Sequence, residues 1–345
     1  MSVERKPSGA TKDGREVELL TLRCGAMEAE ILTFGATVRA LRVPDKNGRI
    51  IDTVLGYNTV AGSEVNGGYL GALVGRYANR IRDARCVIDG ETVALTPNEG
   101  KKQLHGGPQG FSHCLFSAEI VGESAIRLTY TAADGEGGHP GVLALAAAYT
   151  LTENALILRY EAESDKATYC NITNHSYFNL NGSGNILGHT LWLNANRFTP
   201  IDADSIPTAL STGVAGTAFD FTVPKPIGQD ILEYEAELRL AHGYDHNFVI
   251  NEGQGMRIAA RLEGEKSGIV METWTEKPGV QVYSANYLDA GCHTKSGAPY
   301  GMRDALCLET QFFPDSPNHP EWGDIILRPG KRYDYTTEYR FGTRK

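Results

Sequence analysis

The feature that most constrains this chain is its rhythm, because short apolar/polar alternations recur along all 345 residues and Gly- or Asn-containing turns separate them. Alternation with period two sends successive side chains to opposite faces of a strand, so it specifies half-buried sheet. Val17-Glu-Leu-Leu-Thr-Leu-Arg23 and Glu28-Ala-Glu-Ile-Leu-Thr-Phe34 come first, and Asp45-Lys-Asn-Gly48 reads as a hairpin loop before Ile50 to Leu55. Cys86 to Val93 contains an Asp-Gly turn between β-rich flanks, Leu143 to Thr150 and Leu156 to Glu163 flank Glu153-Asn154, and Met256 to Leu262 precedes Gly268 to Thr275. Helical spacing is confined to Asp230 to Leu240, with apolar positions at Ile231, Leu232, Tyr234, Ala236, Leu238 and Leu240. Nothing alternates strand with helix, as a parallel sheet requires. The expectation is an all-β chain, a large antiparallel β-sandwich or open barrel, forming a single domain over residues 1–345 with residues 1–15 loosely ordered.

Charge and composition exclude several function classes. The formal net charge is -9 and no Lys/Arg block occurs, so attraction to a phosphate backbone is not expected and nucleic acid is set aside. The N-terminus is charged from its fourth residue and lacks the ~7–15-residue apolar core of a signal peptide, and no run approaches ~18 apolar residues. No membrane partner is expected, and cytoplasm is the expected location. Six cysteines at 24, 86, 114, 170, 292 and 307 lack a CxxC and read as buried free thiols. Either a monomer or a homodimer fits the sequence.

Five polar clusters stand out against this background: Gly75-Arg-Tyr-Ala-Asn-Arg80, Gln103-Leu-His-Gly-Gly107, Thr173-Asn-His-Ser-Tyr177, Gly243-Tyr-Asp-His-Asn247 and Leu308-Glu-Thr-Gln-Phe-Phe313. Glu309 follows the apolar run Ala305-Leu-Cys-Leu308 and precedes Gln311 and two phenylalanines, which predicts a partly desolvated carboxylate with a pKa raised toward that of a useful base. The alternative is an ordinary outward-facing strand glutamate. Unperturbed histidine titrates close to physiological pH, which puts acid chemistry within reach of His175, and Asn174, Ser176 and Tyr177 can orient its imidazole or grip a hydroxylated ligand; a structural histidine is the competing reading. The glycines after His105 admit a close ligand or simply shape a turn. Arg80 could pair with Asp83 at the surface. Asp245 could cap a turn.

Metal and nucleotide cofactors are not indicated. His242 and His246 are four apart, but the segment between them lacks the glutamate of HExxH and contains Gly243. Gly71-Ala-Leu-Val-Gly75-Arg76 lacks the Lys and Ser/Thr of a Walker loop, and no GxGxxG opens a helix. The expectation is no cofactor and no metal.

Taken together the clusters resemble the aldose 1-epimerase family, the galactose mutarotases. The resemblance runs through Phe34-Gly-Ala-Thr37 with Pro44-Asp45, Leu55-Gly-Tyr57, Gly75 to Ile81, Leu104-His-Gly-Gly107, Thr173-Asn-His-Ser-Tyr-Phe-Asn-Leu180, Tyr244-Asp-His-Asn-Phe248 and Glu309-Thr-Gln-Phe-Phe-Pro-Asp-Ser-Pro-Asn318. It implies a β-supersandwich and an isomerase acting on a small aldose such as D-galactose or D-glucose. By motif it implies Glu309 as general base on the C1 hydroxyl and His175 as general acid to the ring oxygen. It places substrate-binding roles on Asn79, Arg80, His105, Asp245 and Gln281, the last within Pro278-Gly-Val-Gln-Val-Tyr283. The chain departs from the family at Phe116, where a tryptophan is common, and at Asp134-Gly-Glu-Gly-Gly-His-Pro-Gly141. Other readings are a hexose 6-phosphate mutarotase, a non-catalytic carbohydrate-binding protein, and a glycoside hydrolase using Glu309 and Asp245 as its two carboxylates.

Overall fold

The computed structural model describes all residues except 66, 233–235, 290, 292–293, 296 and 345. Three antiparallel sheets carry the architecture. A nine-stranded sheet runs Ser117–Gly122, Ala125–Ala132, Leu143–Leu151, Ala155–Ser164, Tyr333–Thr343, Ile269–Thr275, Arg257–Glu263, Thr190–Leu193 and Lys225–Pro226 in spatial order. A six-stranded sheet runs Tyr177–Phe178, Leu306–Gln311, Gly279–Tyr283, Asp245–Val249, Arg197–Phe198 and Thr212–Gly213. The N-terminal meander forms a five-stranded sheet in sequence order. The fold is therefore all-β, with antiparallel sheets packed over a common core, as the alternation predicts.

One face of each sheet supplies that core. Leu143, Leu145, Ala147, Tyr149, Leu156, Leu158 and Tyr160 from the large sheet join Leu20, Ile31 and Val38 from the meander and Val280, Val282, Leu306 and Leu308 from the six-stranded sheet in one apolar cluster. Fully burying each Leu or Val contributes about 1.5–3 kcal/mol. Polar contacts also cross the interface: the Tyr339 hydroxyl donates to the Leu308 carbonyl at 3.2 Å, and the Thr310 and Thr337 hydroxyls meet at 2.5 Å. The strand Leu306–Gln311 is thereby fixed from behind, which leaves its other face for the site.

Turn chemistry follows the sequence closely. Asp89 and Gly90 take positive φ (52° and 89°) between Arg85–Ile88 and Glu91–Ala94, as an Asp-Gly hairpin requires. In the loop after Pro44, the Asp45 carboxylate accepts from the Asn47 and Arg49 amides.

Two expectations are corrected. Within residues 1–15, Ser2–Ala10 is not loose: it forms the outer strand of the meander, paired antiparallel with Glu16–Cys24. Ladder hydrogen bonds and the Arg5–Glu18 ion pair order this polar segment, and a register shift between Pro7 and Gly9 breaks up an otherwise open edge. Of the helix foreseen over Asp230 to Leu240, residues 230–232 form a turn, 233–235 lie outside the described residues, and Ala236–Leu240 is helical, a segment too short to be stable on its own. Leu232 is exposed while Ile231 and Leu238 are buried, and Tyr234 lies outside the described residues. A second short helix, Val60–Glu64, is capped by the Thr59 hydroxyl, which accepts from the Gly62 amide. Cys24, Cys86, Cys114, Cys170 and Cys307 are free and buried, whereas Cys292 lies outside the described residues. Among the described residues no helix is long and apolar enough to cross a membrane.

Candidate active site

The register of the six-stranded sheet assembles the floor of the site. Leu306, Leu308 and Thr310 face the core, so period two turns Cys307, Glu309 and Gln311 to the opposite face. Across the ladder Glu309 stands opposite Gln281, which stands opposite Asn247. The adjacent row runs Tyr177, Cys307, Tyr283 and Asp245. Two carboxylates, two amides, two phenols and a thiol are thus placed side by side by backbone pairing alone.

His175 arrives over this floor from the other side. Thr173–Asn174 pairs with Leu73–Val74, the His175 amide donates to the Ala72 carbonyl at 2.8 Å, and the Asn174 side chain donates to the Gly71 carbonyl at 2.8 Å. The His175 ring stacks on Tyr177 (centroids 5.1 Å apart) and meets the edge of His105 at 5.2 Å. Its Nε2 lies 3.6 Å from Glu309 Oε1. The density of polar groups in residues 173–180 has a local explanation: Asn174 and Ser176 hold the backbone that presents the imidazole. The Ser176 hydroxyl donates to Asn174 Oδ1 at 2.5 Å, and its amide donates to the same oxygen at 3.0 Å.

Asn79, Arg80 and His105 come from a third pairing, Gln103–Leu104 against Arg80–Ile81. The Asn79 amide donates to His105 Nδ1 at 3.1 Å and the His105 amide donates to the Asn79 carbonyl at 3.0 Å. Gly106 is required beside them, since a Cβ there would lie 2.0 Å from the Gly75 carbonyl oxygen. Arg80 forks onto Glu99 through Nε (2.8 Å) and Nη2 (3.0 Å) and lies 3.8 Å from Asp245, not on Asp83. Asp245 accepts from Gln281 Nε2 at 2.7 Å.

These groups converge on one cavity of about 680 Å³, within the ~300–1,000 Å³ range of small-ligand pockets. Of the residues singled out from sequence, Asn79, Arg80, His105, His175, Tyr177, Asp245 and Glu309 line it. Gln281 and Ser176 do not: Gln281 sits beneath Asp245 and orients it, and Ser176 points away between its two lining neighbours. Sequence reasoning missed Tyr57, Tyr69, Tyr283, Tyr287, Glu99 and Lys102 in the wall. Tyr283 was legible, because it follows Gln281 by two residues and shares its sheet face. Phe116 packs in the core against Tyr130, so that departure from the family leaves the cavity wall untouched.

Burial sets the electrostatics. It raises the Glu309 carboxyl well above the ordinary range, Asp245 adds to the shift, and Arg80 opposes it. Burial likewise pushes the His175 imidazole down to about 4. His105 is driven well below its usual value by burial, with His175 and Arg80 adding to the effect. The pair therefore favours one shared proton in a neutral arrangement, Glu309 as acid and His175 as neutral imidazole. Glu309 Oε2 and His175 Nδ1 have no hydrogen-bond partner among the described residues, so both retain unsatisfied capacity.

His105, His175 and Glu309 offer ligand atoms within 4.8 Å of one another, a grouping that sequence spacing does not reveal. The chemistry of His105 argues against a metal there. Its Nδ1 already accepts from the Asn79 amide, which places the ring proton on Nε2, so neither nitrogen presents a free lone pair. That tautomer makes His105 a hydrogen-bond donor.

The other departure from the family buttresses this wall from outside. His139 Nε2 lies 2.7 Å from Gln103 Oε1, and Gln103 Nε2 donates to the Thr96 and Gly137 carbonyls. Burial, aided by Arg76, pushes His139 down to about 3. The unfolded chain takes up a proton near pH 6.5 that the folded chain refuses, so stability falls on acidification from about pH 6.5 toward 3, by roughly 3–5 kcal/mol from this group. Urea midpoints measured against pH are expected to decline less steeply for His139→Asn than for the native chain. Parallel curves would remove His139 as a source of acid lability.

Comparison with known proteins identifies the family. The chain is 39% identical over 337 residues to galactose mutarotase of Mus musculus, covering 97% of this chain and 96% of that protein. It is 38% identical over 335 residues to aldose 1-epimerase of Escherichia coli strain K12, covering 95% and 96%. The crystal structure of an aldose epimerase homologue from C. elegans superposes with a TM-score of 0.88 at 32% identity, covering 95% of this chain and 99% of that one. The family profile described as aldose 1-epimerase matches residues 18–340. By its sequence and by its fold, the chain belongs to the aldose 1-epimerase family.

Proposed function

We propose that this chain, acting as one domain, interconverts the α and β anomers of free aldohexoses such as D-galactose and D-glucose. The carrying observation is the buried imidazole–carboxylate pair, 3.6 Å apart at the floor of a cavity lined with hydroxyl-binding groups. Ring opening removes a proton from the C1 hydroxyl and delivers one to the ring oxygen, so it needs a base and an acid facing neighbouring atoms of one sugar. Glu309 takes the first proton and His175 supplies the second, and their roles reverse on closure. This requires the pair's proton to reside on His175 when sugar is bound. A C1 hydroxyl donating to Glu309 stabilises the carboxylate and favours that arrangement. Arg80, Asn79 and Asp245 offer donors and acceptors to the remaining hydroxyls, and His105 donates from Nε2.

The wall also argues against the neighbouring readings. Arg80 and Lys102, the cations among the described lining residues, are already held by acidic residues, which is unfavourable for a hexose 6-phosphate. Asp245 receives Gln281 and faces Arg80, an arrangement suited to hydroxyl binding. Polarimetry of freshly dissolved α-D-galactose and α-D-glucose tests the proposal: acceleration over the buffer rate is expected with native protein. No acceleration with either sugar would overturn it.

A further inference from the structure

The charged rim of the cavity is organised around one residue that the acid–base chemistry does not use. Glu99 receives both Arg80 Nε and Nη2, the full fork with which a guanidinium grips a carboxylate or phosphate. It also lies 3.4 Å from Lys102 Nζ, which in turn donates to the Asp204 carbonyl at 2.7 Å. Arg80 keeps only its Nη1 side toward Asp245 and the cavity. One such edge suffices for a hydroxyl, whereas a phosphate is gripped most tightly by a free fork. Among the described lining residues, Arg80 and Lys102 stand against Glu99, Asp245, Asp289 and Glu309.

We propose that Glu99 is a specificity-determining residue: by occupying the Arg80 fork and holding Lys102, it makes the cavity discriminate against aldoses that carry an anionic group, such as hexose 6-phosphates. The inference rests on the reading of the cavity as an aldose site. Repulsion from a fixed carboxylate and denial of Arg80 and Lys102, the cations among the described lining residues, act together, and a neutral sugar is subject to neither. Because the Glu99 side chain is 34% exposed, the effect includes a component that salt screens.

The test compares anomer exchange rates for α-D-glucose and glucose 6-phosphate, measured by NMR at low and high salt, for native protein, Glu99→Gln and Lys102→Gln. In Glu99→Gln the ratio of kcat/KM for glucose over that for glucose 6-phosphate is expected to fall about tenfold, mainly through a lower KM for the phosphate. Lys102→Gln is expected to move the ratio the opposite way, and high salt to shrink both changes. A ratio within twofold of native in Glu99→Gln, or an equal loss for both sugars, would overturn the proposal and leave Glu99 as a support for Arg80 alone. A shift of both variants in the same direction would overturn it as well. Native protein inactive on glucose would instead remove the underlying site assignment, so the two failures are distinguishable.

Discussion

Glu309→Gln is expected to lower kcat for α-D-galactose by about two to four orders of magnitude while changing KM by no more than a few fold. The amide keeps the shape of the carboxyl and can still hydrogen-bond a sugar hydroxyl, but it cannot accept the C1 proton. Desolvation that makes the native carboxylate basic has no counterpart in the amide. The register that pairs Gln281 with residue 309 and Val282 with Leu308 is unaffected by an isosteric change on the cavity face, so folding is expected to be retained. A polarimetric time course settles the matter: turnover within twofold of native would exclude Glu309 as the base.

His175→Asn is expected to cost about two orders of magnitude in kcat, and its pH dependence is more diagnostic than its size. In the native pair one proton serves both groups. Below about pH 4, where His175 takes up a second proton, no base remains and the rate falls. Above the raised Glu309 ionisation the last proton is lost, no acid remains, and the rate falls again. These limbs belong to the pair as macroscopic values. Without His175 only the deprotonation of Glu309 matters, so the residual rate is expected to rise with pH through the raised carboxyl value and then stay level. A bell-shaped profile surviving in His175→Asn would assign the acid to another group, with His105 the nearest alternative.

Much of the fold was legible because period-two alternation and Asp-Gly or Asn-Gly turns act locally. The hairpin around Glu153-Asn154 appears as paired Leu143–Leu151 and Ala155–Ser164. The first strand was not legible, because an edge strand buries little and is ordered by backbone bonds and ion pairs that leave no apolar pattern. The two short helices lie at the limit of what propensity can signal. In the site, each polar cluster was visible on its own, but their meeting was not. It depends on pairings such as Asn174 with Leu73 and Gln281 with Glu309, whose partners are far apart in sequence. Glu99 illustrates the remainder: in Asn98-Glu-Gly-Lys101 it is an unremarked loop acid, and only the fold brings the Arg80 fork onto it.

The size of the cavity bears on stereochemistry. Two anomers differ in the face of the ring on which the C1 hydroxyl lies, so a catalyst that opens one and closes either must hold the free aldehyde while it turns about the C1–C2 bond. About 680 Å³ of space around the adjacent Glu309 and His175 gives that aldehyde room to swing. Under the proposed chemistry the protein is thereby blind to handedness at the reacting carbon. Forward and reverse efficiencies remain tied to the anomeric equilibrium in water, and stereochemical discrimination falls on the hydroxyls that keep their configuration throughout.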